Sequence, residues 1–493
     1  MQLTLFPILK KLKMMSNKRI LTWVGITISA LAYTGCNAPS LVQRSPNKTL
    51  SASYDGQTAD STANVGKMSW KNYFTDPQLN ALIDTAFKNN QELNITLQEI
   101  EISRNEIRAR KGEYLPFVGL RGGAGIEKAG RYTQVGSSEA TTEIKPGRET
   151  PEPLPDFVVA AYARWEVDIW HKLRNAKKAA VNRYLSSIEG KNFMMTNLVS
   201  EIANSYYELL ALDTQLNIIN QNIEIQNNAL RIVKMQKEAT RVTELAVRRF
   251  EAQVLNTQNR QYAIRQRIVE TENRINFLLG RYPQPVLRNS QNFENMVPNL
   301  VQTGVPSQLL QNRPDVRQAE QDLEAAKLDV QVARANFYPS LGLNAAVGLQ
   351  AFNPIYLGNV PKSLMSTLVA DLAGPLINKN AIQATYYSAN ARQVQAIYNY
   401  ERTVLNAYIE VVNQLSNINN LQQSFTTKTA EVQALNESTN IANRLFSSAR
   451  ADYMEVLLTQ REALESRFDL IETKMQQMNA TVNIYRALGG GWN

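Results

Sequence analysis

Cysteine and histidine are almost absent from this chain of 493 residues, which contains one of each, Cys36 and His171. A single cysteine forms no intramolecular disulfide, and metal sites built from several cysteines and histidines are excluded. The sequence also lacks a G-x-x-x-x-G-K phosphate loop and a G-x-S-x-G nucleophile elbow. We therefore predict that the protein is not an enzyme and has neither a cofactor nor a metal site.

A strong excess of positive charge is also absent once the N-terminus is set aside. The formal net charge is +9, but five of the 53 lysines and arginines precede Cys36, leaving 48 basic against 44 acidic residues. This balance is too even for a nucleic-acid-binding surface. We expect no nucleic-acid partner.

The N-terminus combines a basic segment with a short apolar one. Lys18 and Arg19 precede residues 20–32, a mainly apolar run of 13 residues that is too short to span a bilayer and is typical of an export signal. Gly35-Cys36 resembles the cleavage site of bacterial lipoproteins, although Tyr33 replaces the usual aliphatic residue. We predict a signal peptide at 1–35, lipidation of Cys36 and a tether at 36–69. The alternative is an ordinary cleaved signal with an incidental cysteine.

Two segments change from a helical to a strand pattern at a proline, Pro116 in residues 105–126 and Pro339 in residues 328–349. Proline excludes the preceding residue from the helical region, and the residues beyond it alternate between apolar and polar or small. A second alternating segment follows each of them. We therefore predict two strand pairs, 118–127 with 157–169 and 341–351 with 364–372.

The polar residues of these four predicted strands share one side, and the apolar residues share the other. Such alternation is typical of a sheet between lipid and a water-filled lumen. The alternative is a soluble sheet with one hydrated face. The candidate lumen residues are Arg121, Arg164, Glu166, Asp168, Asn344 and Asp371.

Long segments without proline predict long helices. The first is predicted to start at Asp76-Pro77, with proline in the first turn, and to run to about Gly112. Residues 178–238 correspond to roughly 90 Å of helix at 1.5 Å per residue, and their apolar residues, from Leu209 to Val233, follow a coiled-coil spacing. A second heptad series, from Ala211 to Ile232, predicts contacts with neighbours on both sides. After a break at 239–243, a shorter helix is predicted at 244–279.

The second half repeats this plan, with a helix from about 306 to 336, a long helix at 380–446 and a short helix at 455–488. We therefore predict two repeats, 70–280 and 306–493, joined by a linker at 281–305. Four strands cannot close a membrane barrel, which needs about eight, and open sheet edges are not tolerated in lipid. Other copies of the chain must complete the barrel, and the long helices would continue it as a tube.

Several motifs, in this order along the chain, resemble the TolC-type outer-membrane efflux lipoproteins of the NodT-like branch. They are the D-P-x-L-x-x-L-I core within residues 70–93, Trp165 to Asp168, Leu278 to Gly280, Asn312 to Arg317, Ala333 to Leu343 and Ile484 to Trp492.

The resemblance implies a mainly α fold with a membrane β-barrel, in which a homotrimer shares twelve strands and antiparallel coiled-coil helices form a periplasmic α-barrel. It also implies a location in the cell outer membrane, with outer-membrane lipid around the barrel. The implied function is passive export of small molecules as the exit duct of a tripartite pump. The implied partners are a periplasmic adaptor and an inner-membrane pump of the RND type. The alternatives are the outer-membrane channel of a type I protein secretion system and a structural coiled-coil lipoprotein without a channel.

The resemblance further implies a gate at the periplasmic tip, where acidic residues of the family ring the pore. The candidate gate residues are Glu455, Asp452 and Glu244, with Arg241 and Arg450 as their partners. Glu455 lies where the family often has an aspartate, whereas Ala246 and Leu458 replace two other acidic positions. A solvated charge cluster at the helix ends is the alternative interpretation, and it is favoured for Asp452 and Glu244.

Overall fold

The structure, a computed structural model, describes residues 38–42, 44–49, 51, 53–54, 63–299, 302–375, 379–448 and 450–492. Cys36 and the predicted signal peptide lie outside the described residues. The helices are α1 (Trp70–Tyr73), α2 (Pro77–Asn89), α3 (Gln91–Tyr114), α4 (Gln134–Glu139), α5 (Lys172–Glu238), α6 (Glu244–Leu278), α7 (Leu309–Asn312), α8 (Pro314–Ala335), α9 (Val360–Ser363), α10 (Asn380–Ser447) and α11 (Tyr453–Ala487). The strands are β1 (Phe117–Glu127), β2 (Glu143–Lys145), β3 (Arg148–Glu149), β4 (Leu154–Val167), β5 (Ser340–Ala351) and β6 (Leu364–Ala373).

The described residues form two compact units. One contains Ile102–Tyr184, Asp322–Ile397 and the described residues up to Ser45, and it includes all six strands. The other contains Pro46–Glu101, Leu185–Gln321 and Tyr398–Asn493 and includes the ends of the helical hairpins. Within the described part of the chain, no helix has an apolar stretch long enough to cross a membrane.

Both helical arms that lead to the strands are broken, whereas the sequence predicted one continuous helix in each. In the first arm, Asn90 leaves the helical region at ψ 125° and its side chain accepts a hydrogen bond from the Leu93 amide (2.8 Å). An asparagine in this position caps the helix that follows. In the second arm, Arg313 at ψ 120° separates α7 from α8. Its conformation follows from Pro314, which disfavours the helical region for the preceding residue.

The two shorter helices α6 and α11 are each followed, two residues after the last helical residue, by a glycine that lies against one of these breaks. Gly280 (φ +64°) and Gly489 (φ +89°) adopt the left-handed conformation that favours glycine. A Cβ atom on Gly280 would lie 2.4 Å from the carbonyl oxygen of Asn89, and one on Gly489 would lie 2.6 Å from that of Asn312. The two halves therefore repeat the same local packing.

The long helices α5 and α10 contain 67 and 68 residues. At 1.5 Å per residue each is roughly 100 Å long. Helix α5 begins at Lys172, six residues before the predicted start. The earlier start follows from Asp168, whose carboxylate accepts hydrogen bonds from the amides of Leu173 (3.0 Å) and Arg174 (2.9 Å) and so caps the first turn.

The coiled-coil series on α5 is buried as predicted at Leu212 and Ile219, which pack with Ile264 of α6 and with Phe468 of α11. The second heptad series is only partly covered. Ala211 and Ile218 are buried, whereas Ile225 and Ile232 are exposed in this single chain.

The described parts of the predicted tether pack against helices. In the unit that holds the sheet, Leu41 contacts the cluster of Phe337 and Tyr386. In the other unit, Lys48 forms an ion pair with Glu320 (2.7 Å), and Tyr54 stacks on Tyr408. The tether is therefore bound along the protein at these points.

The main sheet has the order β1-β4-β5-β6, and every neighbouring pair is antiparallel. Strand β4 covers 154–167, whereas the sequence predicted 157–169, because Asp168 leaves the strand to cap α5. Strands β1 and β6 are the edges, and neither has a second strand partner among the described residues.

Candidate functional site

The pairing register places five of the six predicted lumen residues on one face of the sheet. Directly opposite residues of antiparallel strands share a face. Glu166 lies opposite Gly342, which lies opposite Asp371, and Arg164 lies opposite Asn344 two residues along the strand. Arg121 lies opposite Ala160, an even-numbered residue of β4 like Arg164 and Glu166. We call this face the polar face.

Asp168, the sixth predicted lumen residue, does not lie on this face. It follows the end of β4, is only 6% exposed, and accepts hydrogen bonds from α5 and from the Arg174 guanidinium (3.2 Å). The prediction for Asp168 was wrong because strand alternation was extended across the residue that starts the next helix.

The opposite side of the sheet, which we call the apolar face, is almost entirely hydrocarbon. Leu120 is 86% exposed and Leu368 is 77% exposed. A continuous exposed apolar surface of this kind is rare on a soluble protein and is typical of a surface that contacts lipid. The large exposed side chains on this face are Val118, Leu120, Ile126, Val159, Val347, Leu364, Leu368 and Leu372.

Most acidic groups on the polar face have partners. Asn344 donates a hydrogen bond to Asp371 (3.1 Å), and Lys172 forms an ion pair with Glu166 (3.4 Å).

Two tryptophans lie at the end of the sheet where β4 meets α5. Trp165 donates to the Tyr114 carbonyl (3.1 Å) and Trp170 to the Pro339 carbonyl (2.7 Å), an arrangement that suits the interface between lipid and water.

The ends of the two helical hairpins share an apolar cluster, which we call the hairpin-end cluster. Its buried members come from all four helices: Val233 of α5, Ala246, Val247 and Phe250 of α6, Ala442 of α10 and Val456 of α11. Ala246, at one of the expected acidic positions, is fully buried here, so an apolar contact replaces a carboxylate.

Glu244, at the start of α6, has two cationic partners, Lys237 (2.6 Å) and Arg248 (2.9 Å). The hydrogen bond from Lys237 is the main reason that the pKa of Glu244 lies below its usual value. Within this single chain the predicted partner, Arg241, is exposed and forms no ion pair with Glu244 among the described residues. The sequence signal that was missed is the helical spacing of Arg248 from Glu244.

Glu455, Asp452 and Arg450 are exposed at the corresponding end of the second hairpin. Asp452 occupies the N-cap position of α11, but its side chain makes no capping hydrogen bond. Within the described part of this single chain, neither carboxylate forms an ion pair with Arg450, so the predicted pairing stays a prediction for the assembled gate. Leu458, the other replaced acidic position, is half exposed.

A family model described as "Outer membrane efflux protein" matches residues 82–281 and 305–490, most of the chain. The chain belongs to the outer membrane efflux protein family. Among curated relatives, the cation efflux system protein CusC of Escherichia coli O6:H1 is 26% identical over 474 residues, covering 94% of this chain and 97% of that protein. The pyoverdine export outer membrane protein OpmQ of Pseudomonas aeruginosa is 26% identical over 430 residues, covering 86% and 87%.

Solved structures share the fold. The open state of the MtrE outer membrane channel of Neisseria gonorrhoeae has a TM-score of 0.80 at 20% identity and covers 93% of this chain and 99% of that chain. These findings confirm the predicted family, the mainly helical fold with few strands, the efflux function and the outer-membrane location. The family consists of transport proteins rather than enzymes.

In this efflux protein, the Asn312–Arg317 motif contains a buried ionic network that the sequence did not predict. Arg313 is 6% exposed, and it donates to both carboxylate oxygens of Asp315 (3.0 and 2.8 Å) and to Glu410 (2.7 Å). Burial disfavours the charged guanidinium, but the hydrogen bonds and charges of the two carboxylates outweigh it and raise the pKa of Arg313.

A second network joins α5, α6 and the segment after α6. Arg288 donates to both oxygens of Asp213 (2.6 and 2.9 Å) and to Glu272 (2.5 Å). Asp213 and Glu410 lie far along the chain from their arginines, so no local spacing indicates these two pairs. Among the described residues, no group of three or more histidine, cysteine, aspartate or glutamate side chains could hold a metal ion.

Proposed function

We propose that this protein is the exit duct of a tripartite efflux pump, through which small molecules leave the periplasm passively. The observation that carries the proposal is the four-stranded sheet with one apolar and one polar face. A structural coiled-coil lipoprotein would have no use for such a sheet. The duct carries out no reaction of its own, so we infer that an inner-membrane pump of the RND type supplies the energy and that a periplasmic adaptor joins the two.

We infer that the duct is a homotrimer. In the described chain the outer edges of β1 and β6 are unpaired, and unpaired backbone groups are strongly unfavourable in lipid. Pairing of β6 in one copy with β1 in the next removes these edges. Three copies then give twelve strands, with the apolar face toward lipid and the polar face toward the lumen. The exposed Ile225 and Ile232 of α5 would be covered by a neighbouring copy in the periplasmic α-barrel.

We also propose that the chain consists of two efflux repeats, 70–280 and 306–493, joined by the linker 281–305. Each half contains a broken helical arm, a strand pair, a long helix and a short helix that ends in a left-handed glycine. The matching positions of Gly280 and Gly489 support this division.

We propose that the hairpin ends form the periplasmic gate. Glu455 is the principal gate residue, and Asp452 adds to it, because neither has a cationic partner among the described residues. Copies of these carboxylates around one axis would repel one another. Glu244 contributes less because Lys237 and Arg248 offset its charge.

We propose that Cys36 carries the lipid anchor. Ala38 and Leu41, shortly after it, pack against the cluster of Phe337 and Tyr386, which lies next to the start of β5. This contact would hold the lipidated end beside the strands. Incorporation of labelled palmitate should be lost in Cys36→Ser, and labelling that persists would contradict the anchor.

The assignment of the two faces can be tested with neighbouring substitutions on β6. Leu368 lies on the apolar face and Thr367 on the polar face, and both are exposed in the single chain. An arginine at a lipid-facing position near the bilayer centre costs about 2–4 kcal/mol. Leu368→Arg should therefore reduce the amount of membrane-inserted trimer, whereas Thr367→Arg should not. Insertion would be followed by native mass spectrometry and by conductance in planar bilayers. Equal effects, or a larger effect of Thr367→Arg, would overturn the proposal.

A further inference from the structure

The polar face of the sheet has a central part with a single charged side chain. The register divides this face into rows of residues that lie opposite one another across the strands. We call three successive rows the central band. The rows are Gly119, Tyr162, Ala346 and Thr367; Arg121, Ala160, Gly348 and Met365; and Gly123, Val158 and Gln350. Among these residues, all of which the structure describes, Arg121 alone carries a charge.

The three rows of the central band hold no carboxylate, and the carboxylates of this face lie beyond them along the strands. Asp156 lies four residues along β4 from Ala160, about 13 Å at 3.3 Å per residue. It also accepts hydrogen bonds from Gln350 (2.9 and 3.0 Å). Glu166 lies six residues from Ala160 in the other direction, about 20 Å away along the strand. In the described residues Arg121 forms no ion pair, so its positive charge is not offset locally.

The surroundings of Arg121 leave its guanidinium open. The residues on either side of it on the same face of β1 are Gly119 and Gly123; the Tyr162 ring lies over Gly119, and the Arg121 side chain itself remains exposed. The next strands carry Ala160 and Gly348 in the same row. The other side of the sheet is the apolar face. A charge on a wall backed by a low-dielectric medium acts strongly on ions that pass through a narrow aqueous space.

We propose that Arg121 forms a positively charged band in the barrel lumen and favours export of solutes that carry a carboxylate, sulfonate or phosphate group. This inference rests on the proposed trimeric duct, in which three copies of Arg121 face one lumen. A guanidinium binds such oxyanions with paired hydrogen bonds. Because the side chain is exposed, the contact is brief, as conduction requires.

Arg164 provides the comparison within the same face. It also has no ion pair in the described chain, and its guanidinium lies over the Tyr162 ring (5.9 Å). However, its row is adjacent to the row that contains Glu166 and Asp371. Carboxylates therefore lie nearer to Arg164 than to Arg121 along the strands, and we expect Arg164 to contribute less to the positive band.

A cysteine reporter can measure the potential in the central band directly. The chain has one cysteine, Cys36, so Thr367→Cys in the full-length lipoprotein introduces one new thiol on the polar face, and the parent chain gives the background. Its rates of reaction with negatively and positively charged methanethiosulfonate reagents would be compared in proteoliposomes at low salt. Ser366→Cys, on the apolar face, is the matched control and should remain unreactive.

The measured quantity is the ratio of the reaction rate with the negative reagent to that with the positive reagent. We expect this ratio to be higher in the Thr367→Cys protein than in the same protein with Arg121→Gln added. The ratio should fall about threefold or more, and the difference should shrink at 1 M salt, where the screening length is about 3 Å. Arg121→Lys should preserve the ratio, and Arg164→Gln should lower it less than Arg121→Gln.

The outcomes separate this inference from the proposed function. If Thr367→Cys reacts but its ratio is unchanged by Arg121→Gln, the positive band is overturned and the duct stands. If Ser366→Cys reacts in place of Thr367→Cys, or if neither reacts, the assignment of the polar face to a water-filled lumen is overturned, and the inference with it.

Discussion

At the break in each helical arm, a side chain donates a hydrogen bond to the last residue of a short helix, but the donor group differs between the two arms. Where the first arm breaks, the Asn90 amide donates to the carbonyl of Leu278, the last residue of α6 (2.9 Å). Where the second arm breaks, the Arg313 guanidinium donates to the carbonyl of Ala487, the last residue of α11 (2.7 Å). A neutral amide needs no counter-charge. The guanidinium needs the two carboxylates that surround it, so the second arm contains an ionic network where the first arm has a simple cap.

The hairpin ends differ in a related way. In the first half of the chain the carboxylate of Glu244 is offset by two cations, and Ala246 lies in the apolar cluster. In the second half Glu455 and Asp452 have no cationic partner in the described residues. The ends of the two hairpins therefore differ in their electrostatics.

The largest effect is expected where a buried charge loses its partner. Arg313→Met should destabilise the protein by about 3–5 kcal/mol, because it removes a buried guanidinium and leaves the partly buried Asp315 without a counter-charge. Glu410 would retain Arg486 (2.6 Å). Chemical denaturation in detergent, followed by circular dichroism, measures the change. Arg260→Met is the matched control, since its pair with Glu465 is exposed and should contribute less than about 1 kcal/mol. Equal destabilisation by the two variants would contradict the importance of the network.

A smaller effect is expected at the corresponding break in the first arm. Asn90→Ala removes the cap of α3 and the hydrogen bond to Leu278, and it should cost about 1–2 kcal/mol. The same denaturation experiment applies. The neighbouring Asn89 is exposed, so Asn89→Ala should be close to neutral. If Asn90→Ala were as damaging as Arg313→Met, the contrast between a neutral and an ionic break would fail.

The smallest effect is expected at the hairpin ends, where the charges are exposed. Glu455→Gln should lower the ratio of potassium to chloride permeability about two- to threefold at low salt, because it removes a carboxylate without a partner. Glu244→Gln should change the ratio less, since Lys237 and Arg248 already offset that charge. Reversal potentials in planar bilayers under a KCl gradient measure both variants. A larger effect of Glu244→Gln would reverse the proposed roles.

Much of the fold could be predicted from local patterns. The break before Pro314 follows from the sequence as well, although it was not recognised, because proline restricts the residue before it. The cap at Asn90 carried no comparable signal, since asparagine is common in this part of the chain. Asp168 was misplaced because alternation continues across it, and only its hydrogen bonds to α5 reveal where the strand ends.

The sequence by itself determined the type and order of the long helices and of the four main strands, and the two faces of the sheet. The hydrophobic period and the positions of the prolines act over a few residues, and both patterns are clear in this sequence. The tertiary structure decided which charged side chains have a partner of opposite charge. Glu244 pairs with Lys237 and Arg313 with Glu410, whereas Arg121 forms no ion pair in the described chain. Such partnerships depend on distances between segments that are remote in sequence or on different strands, and these distances exist only once the chain has folded.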